Sequence, residues 1–158
     1  MKVFGILFAQ SPDSEGETVL VDGATIKDHA IIVSANGNLL GRLDSVQIVY
    51  RCITEESISL AGRAGLSVEC PQDQEENAIT GINYLSLEKP FIKISATLLN
   101  NSALKAAIQA GNLYFGFHGI RKKKIDSVVE SCYIDKIIVG LSTVQNCTKV
   151  FLDENTDT

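Results

Sequence analysis

The sequence predicts a strand-rich α+β domain, a β-barrel or sandwich carrying one or two short helices. Short runs rich in β-branched and aromatic residues recur along the chain, and several alternate with the period of two that a half-buried strand requires. Turn signals such as Asn36-Gly37 separate these runs. Only Asn101 to Gly111 combines a helical period with caps at both ends, which disfavours an alternating βαβ order.

Lys2 to Ala9 reads as the first strand, followed by a polar turn region from Ser11 to Glu17. Thr18 to Val21 and Ala30 to Val33 are short β-rich runs. Asn36-Gly37 marks a hairpin, because both residues tolerate positive φ. Leu39 to Tyr50 then alternates, with Val46, Ile48 and Tyr50 on one face and Ser45, Gln47 and Val49 on the other.

Thr54 to Leu66 is open between helix and strand. Thr54 would cap a helix with Glu55 and Glu56 in its first turn, while Gly62 and Gly65 limit its length. Cys70 to Gly81, polar and interrupted by Pro71, reads as the longest exposed loop. Phe91 to Leu98 alternates again, with Ile92, Ile94, Ala96 and Leu98 on one face. Asn101 or Ser102 caps the helix, Leu104, Ala107 and Ile108 form its apolar stripe, and Gly111 ends it in a left-handed conformation. Leu113 to Phe151 returns to β-rich runs, broken at Arg121 to Asp126 and Thr143 to Asn146, for about eight or more strands in all.

The chain has 158 residues, enough for one domain with a real core, here 1–158 with an acidic tail at 153–158. Apolar residues are 45% and charged residues 21%, which excludes the composition of a disordered chain. The net charge of −5 disfavours nucleic acid as a partner. No apolar run approaches the ~20 residues that span a bilayer. The short run after Met1 lacks the length and cleavage site of a secretion signal, so a cytoplasmic location is expected. Cys52, Cys70, Cys132 and Cys147 form no C-x-x-C pair and have no histidine at zinc-ligand spacing, so reduced and mostly buried thiols are expected. The two sequons, Asn100 to Ser102 and Asn146 to Thr148, carry little meaning in a chain that is not secreted.

Candidate chemistry is sparse. His29 follows Asp28 in a polar turn and reads as a surface residue. His118 sits in an aromatic run with Tyr114, Phe115 and Phe117, and reads as a half-buried strand residue or part of a small polar site. Glu55-Glu56 and Glu75-Glu76 are adjacent pairs whose members diverge on any regular element, unlike a metal cage. No metal site and no cofactor is expected, and no P-loop, G-x-G-x-x-G, EF-hand or G-x-S-x-G is present. Arg121-Lys122-Lys123-Lys124 is the one basic run. It reads as a charged hairpin tip that keeps neighbouring strands soluble, or as a contact to an acidic partner, including the tail residues Asp153, Glu154 and Asp157 of another copy.

From Phe91 to Val150 the chain resembles the C-terminal half of the phage prohead proteases, relatives of herpesvirus assemblin. The matching residues are a strand at Ile94 to Leu98, a helix ending in Ala110-Gly111, the segment AGNLYFGFHGI and the later strand CYIDKIIVGLSTVQN. Upstream, Leu40-Gly41-Arg42 looks like the family's segment after its histidine strand. The resemblance implies a serine-protease fold, and the departures imply a degenerate site. The serine position falls on Phe117, with Gly119 two residues on, and the histidine position falls among Ser34, Ala35 and Asn36. Of the three positions, Asp135 alone keeps its acid. A phenyl ring forms no acyl-enzyme, and none of the three residues at the base position titrates near neutral pH.

A pseudo-protease of this kind implies a non-enzymatic virion protein, a capsid cement, decoration or accessory assembly protein, located in the virion or the host cytoplasm. Its implied partners are copies of itself and a capsid or other virion protein, with no membrane and no specific nucleic acid. Two alternatives stand beside it. One is a divergent prohead protease, or another hydrolase using Ser131 or Ser142 with His118 or His29. The other is a small intracellular binding or inhibitory protein. Under the degenerate-protease reading, Phe117, Asp135 and Ser34 to Asn36 are expected to converge on one face.

Overall fold

The computed structural model describes residues 1–49, 90–141 and 148–153. They form β1 (Lys2–Ala9), β2 (Thr18–Val19), a 3-10 turn (Val21–Gly23), β3 (Ala24–Ser34) and β4 (Leu39–Val49). After the interval to residue 90 come β5 (Phe91–Leu98), α1 (Ser102–Gln109), β6 (Tyr114–Ile125), β7 (Val128–Gly140) and β8 (Phe151–Leu152). The fold is strand-rich α+β, as expected. The expectations for 54–66, 70–81 and 143–146 lie outside the described residues.

All eight strands share one sheet in the order β2-β7-β3-β4-β5-β1-β8, with β6 on the other edge of β7. β2 and β3 run parallel to β7, and the other pairings are antiparallel. The sheet curls into a half-barrel that is not closed. Its two ends meet over a short stretch. Tyr114 forms an isolated bridge with Lys149, and Val150 N–H donates to the Leu113 carbonyl at 2.9 Å. Phe151 stacks on Phe4 with ring centroids 5.5 Å apart, holding β8 against β1.

Local chemistry explains several boundaries. Ser34 Oγ accepts from Asn38 N–H at 3.1 Å, Gly37 N–H donates to the Ser34 carbonyl at 2.8 Å, and Gly37 takes φ +86° in the expected turn. Asn101 caps α1 by accepting from Leu104 N–H at 3.0 Å, satisfying a donor that has no intrahelical partner. Gly111, at φ +75°, follows the helix as its sequence signal requires.

The alternation of β5 buries Ile92, Ile94, Ala96 and Leu98, and Phe91 is buried as well. In β4 the face carrying Val46 and Ile48 is exposed, while Val49 is buried. One continuous core joins β1, β3, β5, β6, β7 and α1 through residues such as Phe8, Ile32, Ile94, Phe115, Ile134 and Ile137.

Two expectations are corrected. Residues 24–29, polar at Lys27, Asp28 and His29, belong to β3, which is longer than Ala30 to Val33. The register jumps between Ile26 and Ile31, and His29, at φ 52°, sits in the irregularity. Arg121 to Ile125 does not interrupt the strands but is the last part of β6. The turn is confined to Asp126 and Ser127, and Ile125 pairs with Val128. Register shifts within this stretch, and φ 53° at Arg121, mark bulges that accommodate four consecutive charged residues.

Candidate functional site

β6 and β7 position both features of chemical interest. Phe115 and Phe117 pair with Val139 and Ile137, both buried, and so face the core. The Phe117 ring lies 5.2 Å from that of Phe8, tilted by 46°. His118, the next residue, faces outward. Its register partner is Lys136, whereas Gly119 pairs with Ile134, so Asp135 is the extra residue of a bulge in β7. The bulge re-aims the carboxylate, and His118 Nδ1 lies 2.7 Å from Asp135 Oδ1. The hydrogen bond from His118 holds the Asp135 carboxyl below the usual carboxylate range.

The structure therefore pairs His118 with Asp135 and places Phe117 on the opposite face of the sheet from both. Ser34 to Asn36 form the β3–β4 turn, with the Ser34 hydroxyl occupied by the turn itself. Ser34 pairs with Val139, four residues along β7 from Asp135, about 13 Å at the rise of a strand. The three positions drawn from the protease resemblance do not come together on one face, and that resemblance rests on its residue matches alone.

Ser131 pairs with Lys123, five residues along β7 from the partner of His118, well beyond hydrogen-bond reach. Ser142 lies outside the described residues. His29 is exposed, with its ring 3.8 Å from the Asp28 carboxylate. Cys132 is free and buried, and burial pushes its thiol up; the other three cysteines lie outside the described residues.

Each member of the basic run has an intramolecular neighbour. The Arg121 guanidinium sits 5.7 Å over the Tyr133 ring, Lys123 is 4.0 Å from Glu130, and Lys124 is 2.9 Å from Glu17. Lys122 turns to the rim of a cleft. Of the acidic tail only Asp153 is described; its N–H donates to the Lys2 carbonyl at 2.9 Å.

That cleft, of about 440 Å³, occupies the unclosed seam of the half-barrel. Leu7 and Phe8 of β1, Phe115 and Phe117 of β6, and Val129 and Cys132 of β7 line it. Asp13, Glu15 and Glu17 border it from the loop before β2. This loop is built around one carboxylate: Asp13 Oδ1 accepts from Glu15 N–H at 2.9 Å and Glu17 N–H at 3.0 Å. Thr148, 2% exposed and the one buried polar residue among those described, also lines the cleft. The sequence displayed the aromatic run at 114–117 but not the cleft, whose walls come from strands more than 100 residues apart.

Among the described residues, no group of three or more His, Cys, Asp or Glu is placed to hold a metal ion, and no helix is long and apolar enough to cross a membrane. The fold and site thus define an open, strand-rich α+β half-barrel with an apolar seam. Comparison with protein-family models, curated proteins and solved structures finds no match.

Proposed function

We propose that this protein works by binding rather than by catalysis, as a structural or accessory component of a phage particle. The observation that supports the non-catalytic part is that His118, the imidazole hydrogen-bonded to a carboxylate at 2.7 Å, has the packed ring of Phe117 and no nucleophile as its neighbour on β6. A nucleophile must stand beside its base, and His118 faces away from Phe117. Among the described residues, His118 is hydrogen-bonded to Asp135 and to no hydroxyl or thiol. The phage-particle part is supported by the resemblance of Phe91 to Val150. In this reading the chain resides in the host cytoplasm until it joins other copies of itself and a capsid or other virion protein.

The test is co-expression with a major capsid protein encoded in the same genome, followed by gradient sedimentation and mass analysis of both chains. Co-sedimentation with an uncut capsid protein supports the proposal. Cleavage of the capsid protein that is lost in His118→Ala overturns the non-catalytic reading. A chain that stays at the top of the gradient in the presence of assembled capsid overturns the virion role.

A further inference from the structure

We propose that the seam cleft binds a small organic monocation with an aromatic or aliphatic body, a site independent of whether the chain enters a phage particle. Three observations on the seam support this.

The first is its lining. Phe8, Phe115, Phe117, Leu7, Val19 and Val129 give an apolar wall, and about 440 Å³ falls within the range of small-molecule sites. Aromatic faces attract a cation as well as an apolar body.

The second is charge. The rim carries Asp13, Glu15 and Glu17 against Lys122. Glu17 is paired with Lys124 at 2.9 Å, and the same ammonium attracts Asp13 and Glu15 from farther away without a close ion pair. Among the described residues the rim thus sets three carboxylates against two ammonium groups, Lys122 and Lys124, leaving one carboxylate in excess. Asp13 is engaged in holding the loop, so Glu15, exposed and in no close ion pair, is the carboxylate best placed to meet an ammonium. The Asp13-centred hydrogen bonds order this loop in advance, which lowers the entropy lost on binding.

The third is size exclusion. The seam separates two strands, β1 and β6, and an extended peptide inserted between them would need about 4.8 Å of spacing on each side. At the Gly5 end that place is already taken: residues 149–152 bridge Tyr114 of β6 to Val3 and Phe4 of β1, and a Cβ built at Gly5 would lie 2.6 Å from the Lys149 carbonyl and 2.9 Å from the Phe115 ring. The occupant therefore enters as a compact body at the Phe8–Phe117 end, not as an added strand.

The test uses three compounds with one aromatic body: tryptamine, 3-ethylindole and indole-3-propionate. Binding to the full chain is followed by amide chemical-shift changes in two-dimensional NMR. Tryptamine should bind with shifts centred on Phe8, Phe117 and the Asp13 to Glu17 loop, about fivefold more tightly than 3-ethylindole. Indole-3-propionate should bind more weakly than either. Glu15→Gln, an exposed and fold-neutral change, should erase the preference for tryptamine over 3-ethylindole while leaving 3-ethylindole binding unchanged. The proposal is overturned if none of the three compounds shifts these amides. It also fails if the anion matches the cation, if Glu15→Gln leaves the preference intact, or if only a peptide containing the same groups binds.

Discussion

His118 Nδ1 and Asp135 Oδ1 stand 2.7 Å apart on the outer face of the sheet, joined because a bulge in β7 places the carboxylate opposite β6. The pair has a definite pH signature. The hydrogen bond from His118 lowers the Asp135 carboxyl in the folded state, so the unfolded chain takes up its proton first as pH falls. The stabilisation is complete above the ordinary aspartate value, about 3.9, and is lost as pH falls through the lower folded value.

Both side chains are substantially solvated, which caps the effect at about 1 kcal/mol. Asp135→Asn should therefore be less stable than the wild type by no more than about 1 kcal/mol at pH 7 in urea unfolding. The two stabilities should converge at a pH well below the carboxylate range. A gap that persists unchanged in strong acid would show that Asp135 acts through packing instead.

The contact between Phe8 and Phe117 predicts coupling in the core. Phe8 is 2% exposed, so Phe8→Ala should cost about 3–5 kcal/mol. Phe117, at the cleft wall, is only partly buried and its truncation should cost less. Milder leucine substitutions at both positions give a double-mutant cycle whose coupling should be about 0.5–1.5 kcal/mol, the worth of an aromatic pair beyond area burial. Additivity within experimental error would remove the packing role assigned to Phe117.

Local signals carried their elements well. Asn36-Gly37 marked the β3–β4 turn, and Asn101 with Gly111 bracketed α1, because a turn or cap is decided by a few adjacent residues. The alternation in 91–98 marked the buried face of β5 for the same reason. What failed was non-local. Lys27 to His29 and Arg121 to Lys124 are too polar to read as strand, yet pairing of Ile26 and Ile31, and of Ile120, Lys123 and Lys124, with β7 carries both stretches along the sheet as bulges. His118 and Asp135 were each visible as candidates, but their pairing depends on a bulge with no sequence signal. Phe8 and Phe117 line the same cleft only because β1 and β6 curl toward one another.

Gly41 offers a test of how tightly β4 and β5 pack. A Cβ built at this position would lie 2.0 Å from the Thr97 carbonyl oxygen and 2.8 Å from Leu98 Cα, both backbone atoms that cannot turn aside. Gly41→Ala must push the paired strands apart, and strain of this kind costs about 1–3 kcal/mol. The melting temperature should fall, and amides of Thr97 and Leu98 should lose protection from hydrogen exchange. An alanine variant as stable as the wild type would mean that the strands accommodate a methyl group without separating.

The end of β6 predicts an aggregation phenotype. From Phe115 onward this strand has β7 on one side and no strand paired on the other among the described residues, an edge that invites another chain. Arg121, Lys122, Lys123 and Lys124 occupy that edge together with bulges, the devices by which sheets discourage pairing. Lys123 is the member best suited to a test, because it is exposed and its nearest acidic neighbour, Glu130, is 4.0 Å away, an ion pair of little energetic weight. Lys123→Val should leave the unfolding free energy within about 0.5 kcal/mol of the wild type. It should nevertheless raise the rate of light-scattering increase at elevated protein concentration, and Lys123→Glu should restore solubility, since either sign of charge disrupts edge pairing. If valine and glutamate behave alike, the charge at this position does not protect the edge, and the basic run is better explained as a surface for an acidic partner.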